Sequence, residues 1–386
     1  MTGRSPKRWL LLTLAVGSLL VVAMVLGGAP AASSPQAPVA LTPWAYLPIM
    51  HAPAAASLNE ARDWHTATLL PSGKVLVAGG WNDRVTLSSA ELYDVGRNNW
   101  SQAASMSNVR TMHTAILLPS GKVLVVGGRY MMVADLSSAE LYDPESDRWS
   151  PAGKMSVVRV GPRATLLPSG RVLVAGGCYD CPGSAELYDP GSNSWSPAAK
   201  MTTVEYPTAI TLLPSGKVLV LGCVDSQLSC QCSAELYDPA GNRWSPAASL
   251  TSAHCPSTGT LLPTGKVLVV GGYGGLYSTP ASADLYDPDS NSWSPAGSLR
   301  SFRTGHTATL LSTGNVLVAG GEGLFEGELS SAEVYDPDSN SWSPAASMSV
   351  PRMGHTATLL PTGKVLMAGG WWFRTGPLSS AELYTP

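Results

Sequence analysis

The sequence predicts an all-β protein, a seven-bladed propeller with four antiparallel strands in each blade. A twelve-residue stretch, Leu359-Leu-Pro-Thr-Gly-Lys-Val-Leu-Met-Ala-Gly-Gly370, has six near copies elsewhere in the chain. The seven copies begin 46 to 49 residues apart, at Leu69, Leu117, Leu166, Leu212, Leu261, Leu310 and Leu359. Each repeat also contains four short apolar segments separated by turn residues. A fixed period of this size indicates a repeat architecture, and short strands repeated radially make propeller blades.

Blade one shows the four predicted strands in order. His65-Thr-Ala-Thr-Leu-Leu70 alternates polar and apolar residues and ends at a turn, Pro71-Ser-Gly73. The next segment, Lys74-Val-Leu-Val-Ala78, is continuously apolar, as expected of a strand buried on both faces. After a variable loop, Ser89-Ala-Glu-Leu-Tyr-Asp94 alternates again, and a polar turn leads to the short fourth strand, Asn99-Trp100-Ser101.

The repeats share two aromatic and glycine motifs. A Gly-Gly pair, such as Gly79-Gly80, follows the second strand in most repeats, and a Tyr is followed by Trp seven residues later. These Tyr–Trp pairs are Tyr93/Trp100, Tyr142/Trp149, Tyr188/Trp195, Tyr237/Trp244, Tyr286/Trp293 and Tyr335/Trp342. In both motifs the chain resembles kelch repeats. At fixed offsets such large aromatic side chains are expected to wedge between neighbouring blades.

Among kelch propellers, the chain resembles the central kelch domain of galactose oxidase. That family builds a copper site from Tyr, a crosslinked Cys and His ligands. This sequence contains no Tyr-His dipeptide, so the resemblance extends to the fold and not to the copper site. Sialic acid mutarotases use the same kind of ring, but no residue here carries over their site. We expect no cofactor and no resident metal.

The predicted propeller covers residues 52–386. Its seven repeats begin near residues 59, 107, 156, 202, 251, 300 and 349, and the seventh lacks a fourth strand in sequence. When blade six is used as a template, Ala52–Leu58 aligns with Trp342–Met348. We therefore expect this N-terminal strand to complete the last blade and close the ring, which would remove two open sheet edges.

Residues 1–31 predict an export signal or an uncleaved N-terminal membrane anchor. Arg4, Lys7 and Arg8 precede an apolar run over residues 10–28, and small residues follow it. Residues 32–51 form a Pro/Ala-rich linker. Both interpretations place the propeller outside the cytoplasm, either secreted or tethered to a membrane through residues 10–28.

The charge of the chain argues against nucleic acid as a partner. Charged residues make up 13% of the sequence, the net charge is −3, and no basic block is present. The repeated cations lie elsewhere, in the turns that precede the first strands: Arg62, Arg110, Arg159, Arg303 and Arg352, followed three residues later, in four of these five turns, by His65, His113, His306 and His355.

Two interpretations of these turn residues remain open. In the first, they form a cationic ring at the mouth of the central channel, and Arg62, Arg110, Arg303 and Arg352 bind an anionic ligand. In the second, each Arg pairs with a repeated third-strand carboxylate, and each His has a structural role. Those carboxylates are Glu91, Glu140, Glu186, Glu235, Asp284, Glu333 and Glu382.

All six cysteines lie in blades three to five: Cys178, Cys181, Cys223, Cys230, Cys232 and Cys255. We expect them to cluster on one sector of the face formed by the loops between second and third strands. An even number of cysteines in an exported chain favours disulfides, although the spacing leaves the pairing open. A zinc site built on Cys178, Cys181, Cys230 and Cys232 is the alternative.

The same loop face carries unlike aromatic and charged residues in neighbouring blades seven, one and two. The candidate ligand-binding residues there are Trp81, Arg84, Tyr130, Trp371, Trp372 and Arg374. Such a mixture is typical of sugar-binding platforms and protein hot spots. The sequence therefore predicts an extracytoplasmic binding module with a glycan or protein partner. The alternative is a carbohydrate-active enzyme, sugar oxidase-like or sialic acid mutarotase-like, that uses the Arg/His-rich mouth.

Overall fold

The computed structural model describes residues 55–131, 133–224, 232–250, 258–272 and 281–386. The predicted signal or anchor, the linker, residues 52–54 of the propeller, Cys230 and Cys255 lie outside the described residues. Within the described ranges the chain contains strands and turns and no helix. It follows that the described part has no helix of the length and apolar character needed to cross a bilayer.

Seven separate sheets confirm the predicted seven-bladed propeller. Six sheets have four antiparallel strands, which follow one another in space in the order of the four strands predicted for each repeat; the seventh has three assigned strands. The first strands of adjacent blades are neighbours around the ring, so they form its innermost layer. They are Thr66–Leu69, Thr114–Leu117, Arg163–Leu166, Tyr206–Leu212, Thr258–Leu261, Thr307–Leu310 and Thr356–Leu359.

The other strands follow outwards in each blade. The second strands are Val75–Ala78, Val123–Val126, Val172–Ala175, Val218–Cys223, Val267–Val270, Val316–Ala319 and Val365–Ala368. The third strands are Ala90–Asp94, Ser138–Asp143, Ala185–Asp189, Cys232–Asp238, Ser282–Asp287, Ala332–Asp336 and Ala381–Tyr384. The fourth strands are Asn99–Ala103, Arg148–Lys154, Ser194–Pro197, Arg243–Pro246, Ser292–Ser298 and Ser341–Ala345.

The hydrophobic core lies between blades. Leu76 and Ala78 of blade one, for example, pack with Val123, Val125 and Tyr142 of blade two. Burial on both faces explains why the second strands are continuously apolar instead of alternating. Because each apolar cluster draws on two neighbouring blades, no blade can bury its own core alone.

The repeated Tyr–Trp pairs act as the predicted wedges between blades. Tyr142 is fully buried, and its ring centroid lies 5.0 Å from that of Trp149. Trp149 Nε1 donates a hydrogen bond to the carbonyl of Ala104 in the preceding blade, at 2.7 Å. The same bond recurs for Trp100, Trp195, Trp244, Trp293 and Trp342. The indole thus fills the space between two blades and satisfies a backbone acceptor there.

The Gly-Gly pairs permit close approach between blades. Gly79 has φ of +64°, and a Cβ added to it would lie 2.5 Å from the carbonyl oxygen of Arg110 in blade two. A side chain at this position would therefore separate the two blades.

The N-terminal segment contacts both blade seven and blade one. The amides of Ala55 and Leu58 donate to the carbonyls of Ala381 and Ser379, at 3.2 and 2.8 Å. On the other side, the carbonyl of Ala56 accepts the bond from Trp100 of blade one, at 2.7 Å. No strand is assigned over residues 55–58, and residues 52–54 lie outside the described ranges. The predicted closing strand therefore stays a prediction.

Candidate functional site

The five repeated arginines are buried inside their blades. All are at most 1% exposed. In blade six, Arg303 Nη2 lies 2.8 Å from Glu333 Oε1, and Nη1 donates to the carbonyls of Gly320 and Ser331, both at 3.0 Å. Equivalent ion pairs join Arg62 to Glu91, Arg110 to Glu140, Arg159 to Glu186 and Arg352 to Glu382.

Each arginine is therefore paired with a third-strand carboxylate, as in the second of the two interpretations given above. The guanidinium groups join the turn before the first strand to the Gly-Gly backbone and to the third strand. Arg62, Arg110, Arg303 and Arg352 therefore do not lie with the candidate aromatic residues on the loop surface, and we leave them out of the proposed binding surface.

The four repeated histidines link neighbouring blades. His306 Nε2 lies 3.1 Å from Thr258 Oγ1 of blade five, and His355 Nε2 lies 3.0 Å from Thr307 Oγ1 of blade six. His65 and His113 make the same contact with Thr356 and Thr66. Burial, together with the charge of the neighbouring Arg303, lowers the pKa of His306 to about 3. These rings are thus neutral at physiological pH.

In blades one, two, six and seven, the loops between second and third strands emerge on one face and are fixed to the turns below them. In blades two, six and seven they fold into small hairpins: Arg129–Tyr130 with Ala134–Asp135, Glu322–Gly323 with Gly327–Glu328, and Trp371–Trp372 with Gly376–Pro377. Isolated bridges pair Trp81 with Asp63, Arg129 with Thr111, Glu322 with Thr304, and Trp371 with Met353. Each loop is thereby held by the turn before its own first strand.

The hairpin of blade seven presents a stacked aromatic and cationic group. The guanidinium of Arg374 lies 5.5 Å from the ring centroid of Trp372 and 5.6 Å from that of Phe373. The two rings meet edge to face, at 6.3 Å and 82°. Trp371 and Trp372 are half-buried, whereas Phe373 is 62% exposed. This stacking orients a cation and flat apolar faces towards solvent.

The loop of blade one and the turn below it contribute two carboxyl groups and a tryptophan. Asp63 is buried, and its Oδ1 has no hydrogen-bond partner among the described residues. Burial, with a further contribution from the negative charge of Asp83, raises the pKa of Asp63 to about 7. Trp81 is half-buried above Asp63, and the two residues exchange backbone hydrogen bonds at 3.0 Å. Arg84 is exposed at the tip of the loop.

Blade two adds a half-exposed tyrosine beside an ion pair. Tyr130 is 40% exposed. Next to it, the guanidinium of Arg129 lies 2.9 Å from Asp135 Oδ1 across the hairpin. This pair fixes the hairpin that carries Tyr130.

The loops of blades seven, one and two contact one another. A Cβ added to Gly376 of blade seven would lie 3.9 Å from Asp83 Cγ of blade one. The amide of Met131 in blade two donates to Thr86 Oγ1 of blade one, at 2.9 Å. The predicted residues Trp81, Arg84, Tyr130, Trp371, Trp372 and Arg374 therefore lie on one continuous region, which we call the seven-one-two surface.

Exposed apolar side chains are concentrated on this surface. Ten large hydrophobic residues are exposed in the described ranges, and six of them belong to it: Trp64, Val85, Tyr130, Met131, Val133 and Phe373. The other four are Val158, Tyr179, Leu324 and Phe325. A clustered apolar patch edged by charge is a common mark of an interaction site.

Sequence reasoning missed Trp64, which belongs to the seven-one-two surface, and Asp63, which is buried beneath it. Trp64 is 41% exposed, has φ of +49°, and its ring packs against Gly354 of blade seven. The equivalent positions in blades three, six and seven are Gly161, Gly305 and Gly354. A tryptophan at a position that is glycine in three of the other six repeats was therefore the available signal. A bulky residue at positive φ is an uncommon, strained conformation that clusters at functional sites.

Four of the six cysteines lie in described residues, and none of these is a free thiol. Cys178 and Cys181 form a disulfide in blade three, and Cys223 and Cys232 of blade four are also disulfide-bonded. Disulfide bonding is thus present as predicted. Among described residues, no group of three or more His, Cys, Asp or Glu side chains has an arrangement that would hold a metal ion.

Two open grooves lie on the opposite face, beside the turns that join first and second strands. One, of about 470 Å³, runs between blades three and four past Arg171, Leu187 and Tyr237. The other, of about 710 Å³, runs between blades two and three past Leu118 and Pro190. Both are lined by turn residues that recur in most blades, so they do not mark a particular site.

Seven radial sheets with interlocking Tyr–Trp pairs define a β-propeller repeat protein. Family models described as Kelch motif match residues 67–107, 110–156, 163–202, 255–300 and 303–349, which together exceed half of the chain. The chain belongs to the kelch-repeat family.

Many solved structures share this fold, among them a fungal alcohol oxidase of the AA5 family in complex with copper. It matches with a TM-score of 0.72 and 19% identity, over 88% of this chain and 76% of that chain. This likeness supports the expected resemblance to galactose oxidase in fold alone. No curated protein matches the sequence significantly.

Proposed function

We propose that this kelch propeller is a non-enzymatic binding module that holds a glycan on the seven-one-two surface. The observation that carries the proposal is the clustering of exposed aromatic and apolar side chains around the Arg374–Trp372 stack. Aromatic rings offer flat faces to the apolar side of a sugar ring, while nearby carboxyl and guanidinium groups can bond its hydroxyls. A protein partner is the other class of ligand that such a patch fits.

We also propose that the propeller works outside the cytoplasm. Disulfides at Cys178, Cys181, Cys223 and Cys232 support this, because disulfides persist in oxidising compartments. The test is labelling of intact cells with a membrane-impermeant lysine reagent. Labelling of propeller lysines such as Lys74 supports the location, and protection of all of them until the cells are lysed contradicts it.

A glycan array probed with the full chain tests the ligand class. A bound glycan is then titrated against Trp372→Ala and Arg374→Ala variants, whose dissociation constants we expect to rise at least about tenfold. The matched control is Phe325→Ala, which removes a side chain that is 93% exposed on the hairpin of blade six. Unchanged affinity in the Trp372 and Arg374 variants would refute the proposed surface.

If no glycan binds, capture of a protein partner that is lost in the same two variants would assign the surface to protein recognition. The enzymatic alternative relied on Arg303 and His306. Arg303 is paired with Glu333, and His306 is bonded to Thr258. A substrate would have to displace these contacts. Turnover of a sugar that is abolished by Arg303→Lys, in a variant that remains folded, would favour the enzyme.

A further inference from the structure

The short loop of blade three contains a disulfide at the loop face. Cys178 and Cys181 are joined across two intervening residues, and Tyr179 between them is 62% exposed. Cys178 is buried, at 6% exposure, whereas Cys181 is half-buried. An attacking group from solvent therefore has better access to Cys181.

A buried arginine and a serine act on the sulfur of Cys181. Ser184 Oγ donates a hydrogen bond to Cys181 Sγ at 3.5 Å. The same oxygen accepts a hydrogen bond from Arg159 Nη1 at 3.1 Å. The guanidinium thereby polarises the hydroxyl and directs its proton towards the sulfur. Such a donor stabilises a thiolate more than it stabilises a thiol or a disulfide, because the thiolate carries the full negative charge.

This relay exists in blade three because a cysteine stands beside a serine that is otherwise structural. Blade two has the same pair without sulfur: Ser138 Oγ accepts from Arg110 Nη2 at 3.3 Å, and its loop contains no cysteine. The ion pair with Glu186 offsets the net charge of Arg159. The hydroxyl dipole is therefore the group that acts directly on the sulfur.

The disulfide also closes a very short loop. Its cysteines are three positions apart in sequence. A crosslink over so few residues removes less conformational entropy from the unfolded chain than a long-range crosslink does. Stabilisation of the fold is thus a weaker explanation for this bond than for a disulfide between distant segments.

We propose that Cys178–Cys181 is a redox-active disulfide that exchanges with thiols, and that Cys181 is the sulfur that reacts. A thiolate attacks Cys181 Sγ and forms a mixed disulfide, while the Cys178–Cys181 bond breaks and its electron pair leaves on Cys178, which takes a proton. A second thiolate attacks the external sulfur of the mixed disulfide and releases Cys181 as a thiolate. In total, two thiols lose two electrons and become a disulfide, and the protein pair is reduced.

Equilibration of the full chain in glutathione buffers, followed by alkylation and digestion with trypsin, tests the proposal. Cleavage after Arg171 and Lys200 places Cys178 and Cys181 together in peptide 172–200, apart from the other four cysteines. The reference is peptide 218–243, which contains Cys223, Cys230 and Cys232. We expect the Cys178–Cys181 pair to be half-reduced in a buffer at least about tenfold less reducing than the buffer that half-reduces the cysteines of this reference peptide. If peptide 172–200 remains oxidised where peptide 218–243 is reduced, the disulfide is structural and the proposal fails.

Variants of the serine separate a redox role from a structural one. We expect Ser184→Ala to slow alkylation of reduced Cys181 at pH 7 by about three- to tenfold, because its thiolate fraction falls. Ser184→Thr, which keeps the hydroxyl, should restore the rate. The matched control is Ser138→Ala, which should change nothing. Equal alkylation rates in Ser184→Ala and Ser138→Ala would overturn the proposed relay. Parallel reductions with glutathione and with a Cys-x-x-Cys protein dithiol show which thiol source reacts faster.

Discussion

The guanidinium of Arg303 lies 2.8 Å from the carboxylate of Glu333, and both side chains are buried inside blade six. The pair joins the turn before the first strand to the third strand, and four other blades repeat it. The attraction between two paired buried charges offsets the cost of removing them from water. When one partner is removed, the remaining charge keeps its desolvation cost without that compensation.

Replacement of Arg303 should therefore destabilise the protein strongly. We expect Arg303→Ala to lower the free energy of unfolding by about 3–5 kcal/mol, because Glu333 is left buried without its partner. Urea unfolding measures the change. The control is Arg97→Ala, which removes an exposed ion pair with Asp94 and should cost at most about 1 kcal/mol. A double variant, Arg303→Met with Glu333→Leu, should recover part of the loss. Equal costs for Arg303→Ala and Arg97→Ala would contradict a structural role for the pair.

Asp63 should make the folded protein less stable as pH rises. The pKa of Asp63 is about 7 in the folded protein, whereas the ordinary value for an aspartate, which applies to the unfolded chain, is 3.8. Between these pH values the folded chain holds a proton that the unfolded chain has lost. The free energy of unfolding then falls as pH rises from about 4 to about 7.

Asp63→Asn cannot ionise, so it tests this dependence. We compare the free energy of unfolding of this variant with that of the original protein. The difference should be more favourable to the variant at pH 8 than at pH 4, by about 1–3 kcal/mol. Asp83→Asn should give a smaller change in the same direction, because the repulsion between the two carboxylates is removed. Parallel pH profiles for Asp63→Asn and the original protein would show that Asp63 is not the group responsible.

The histidines should produce the opposite dependence in acid. His306 has a pKa of about 3 when folded and 6.5 ordinarily, so the unfolded chain binds an extra proton between these values. Stability is therefore present above pH 6.5 and is lost as pH falls towards 3. We expect His306→Gln to reduce the slope of unfolding free energy against pH in this range.

A matched variant separates protonation from hydrogen bonding at this position. Thr258→Val removes the partner of His306 without removing the titrating ring. It should lower stability at every pH and leave the slope close to that of the original protein. An unchanged slope in His306→Gln would mean that other groups dominate acid unfolding.

We expect Trp64 to contribute to ligand binding, although its positive φ strains the local backbone. Trp64→Gly should leave the unfolding free energy unchanged or raise it by up to about 1 kcal/mol, since glycine adopts positive φ freely. The same variant should weaken ligand binding at least about tenfold if the ring is part of the surface. Met112→Gly is the matched control, because Met112 has φ of +53° at the equivalent position of blade two. Full affinity in Trp64→Gly would remove Trp64 from the site.

Much of the architecture was predictable because each repeat has to bury the same surfaces. The apolar run at Val75–Ala78, the glycine pair after it and the Tyr93–Trp100 spacing each reflect a contact with a neighbouring blade. The ion pair of Arg303 with Glu333 was predicted only as one of two alternatives. Both residues recur in register, but the sequence cannot show whether a recurring cation faces the channel or the interior.

The seven blades, their strand order and the loop face on which the repeats differ are all predictable from the amino-acid sequence. The period indicates a repeat architecture, and the four short strands in each repeat favour propeller blades. The folded chain was needed to show that the arginines are buried, that Trp64 adopts positive φ beside Gly354, and that Ser184 directs its hydroxyl at Cys181. The chemistry of these relationships depends on distances, backbone angles and burial, which spacing along the chain does not encode.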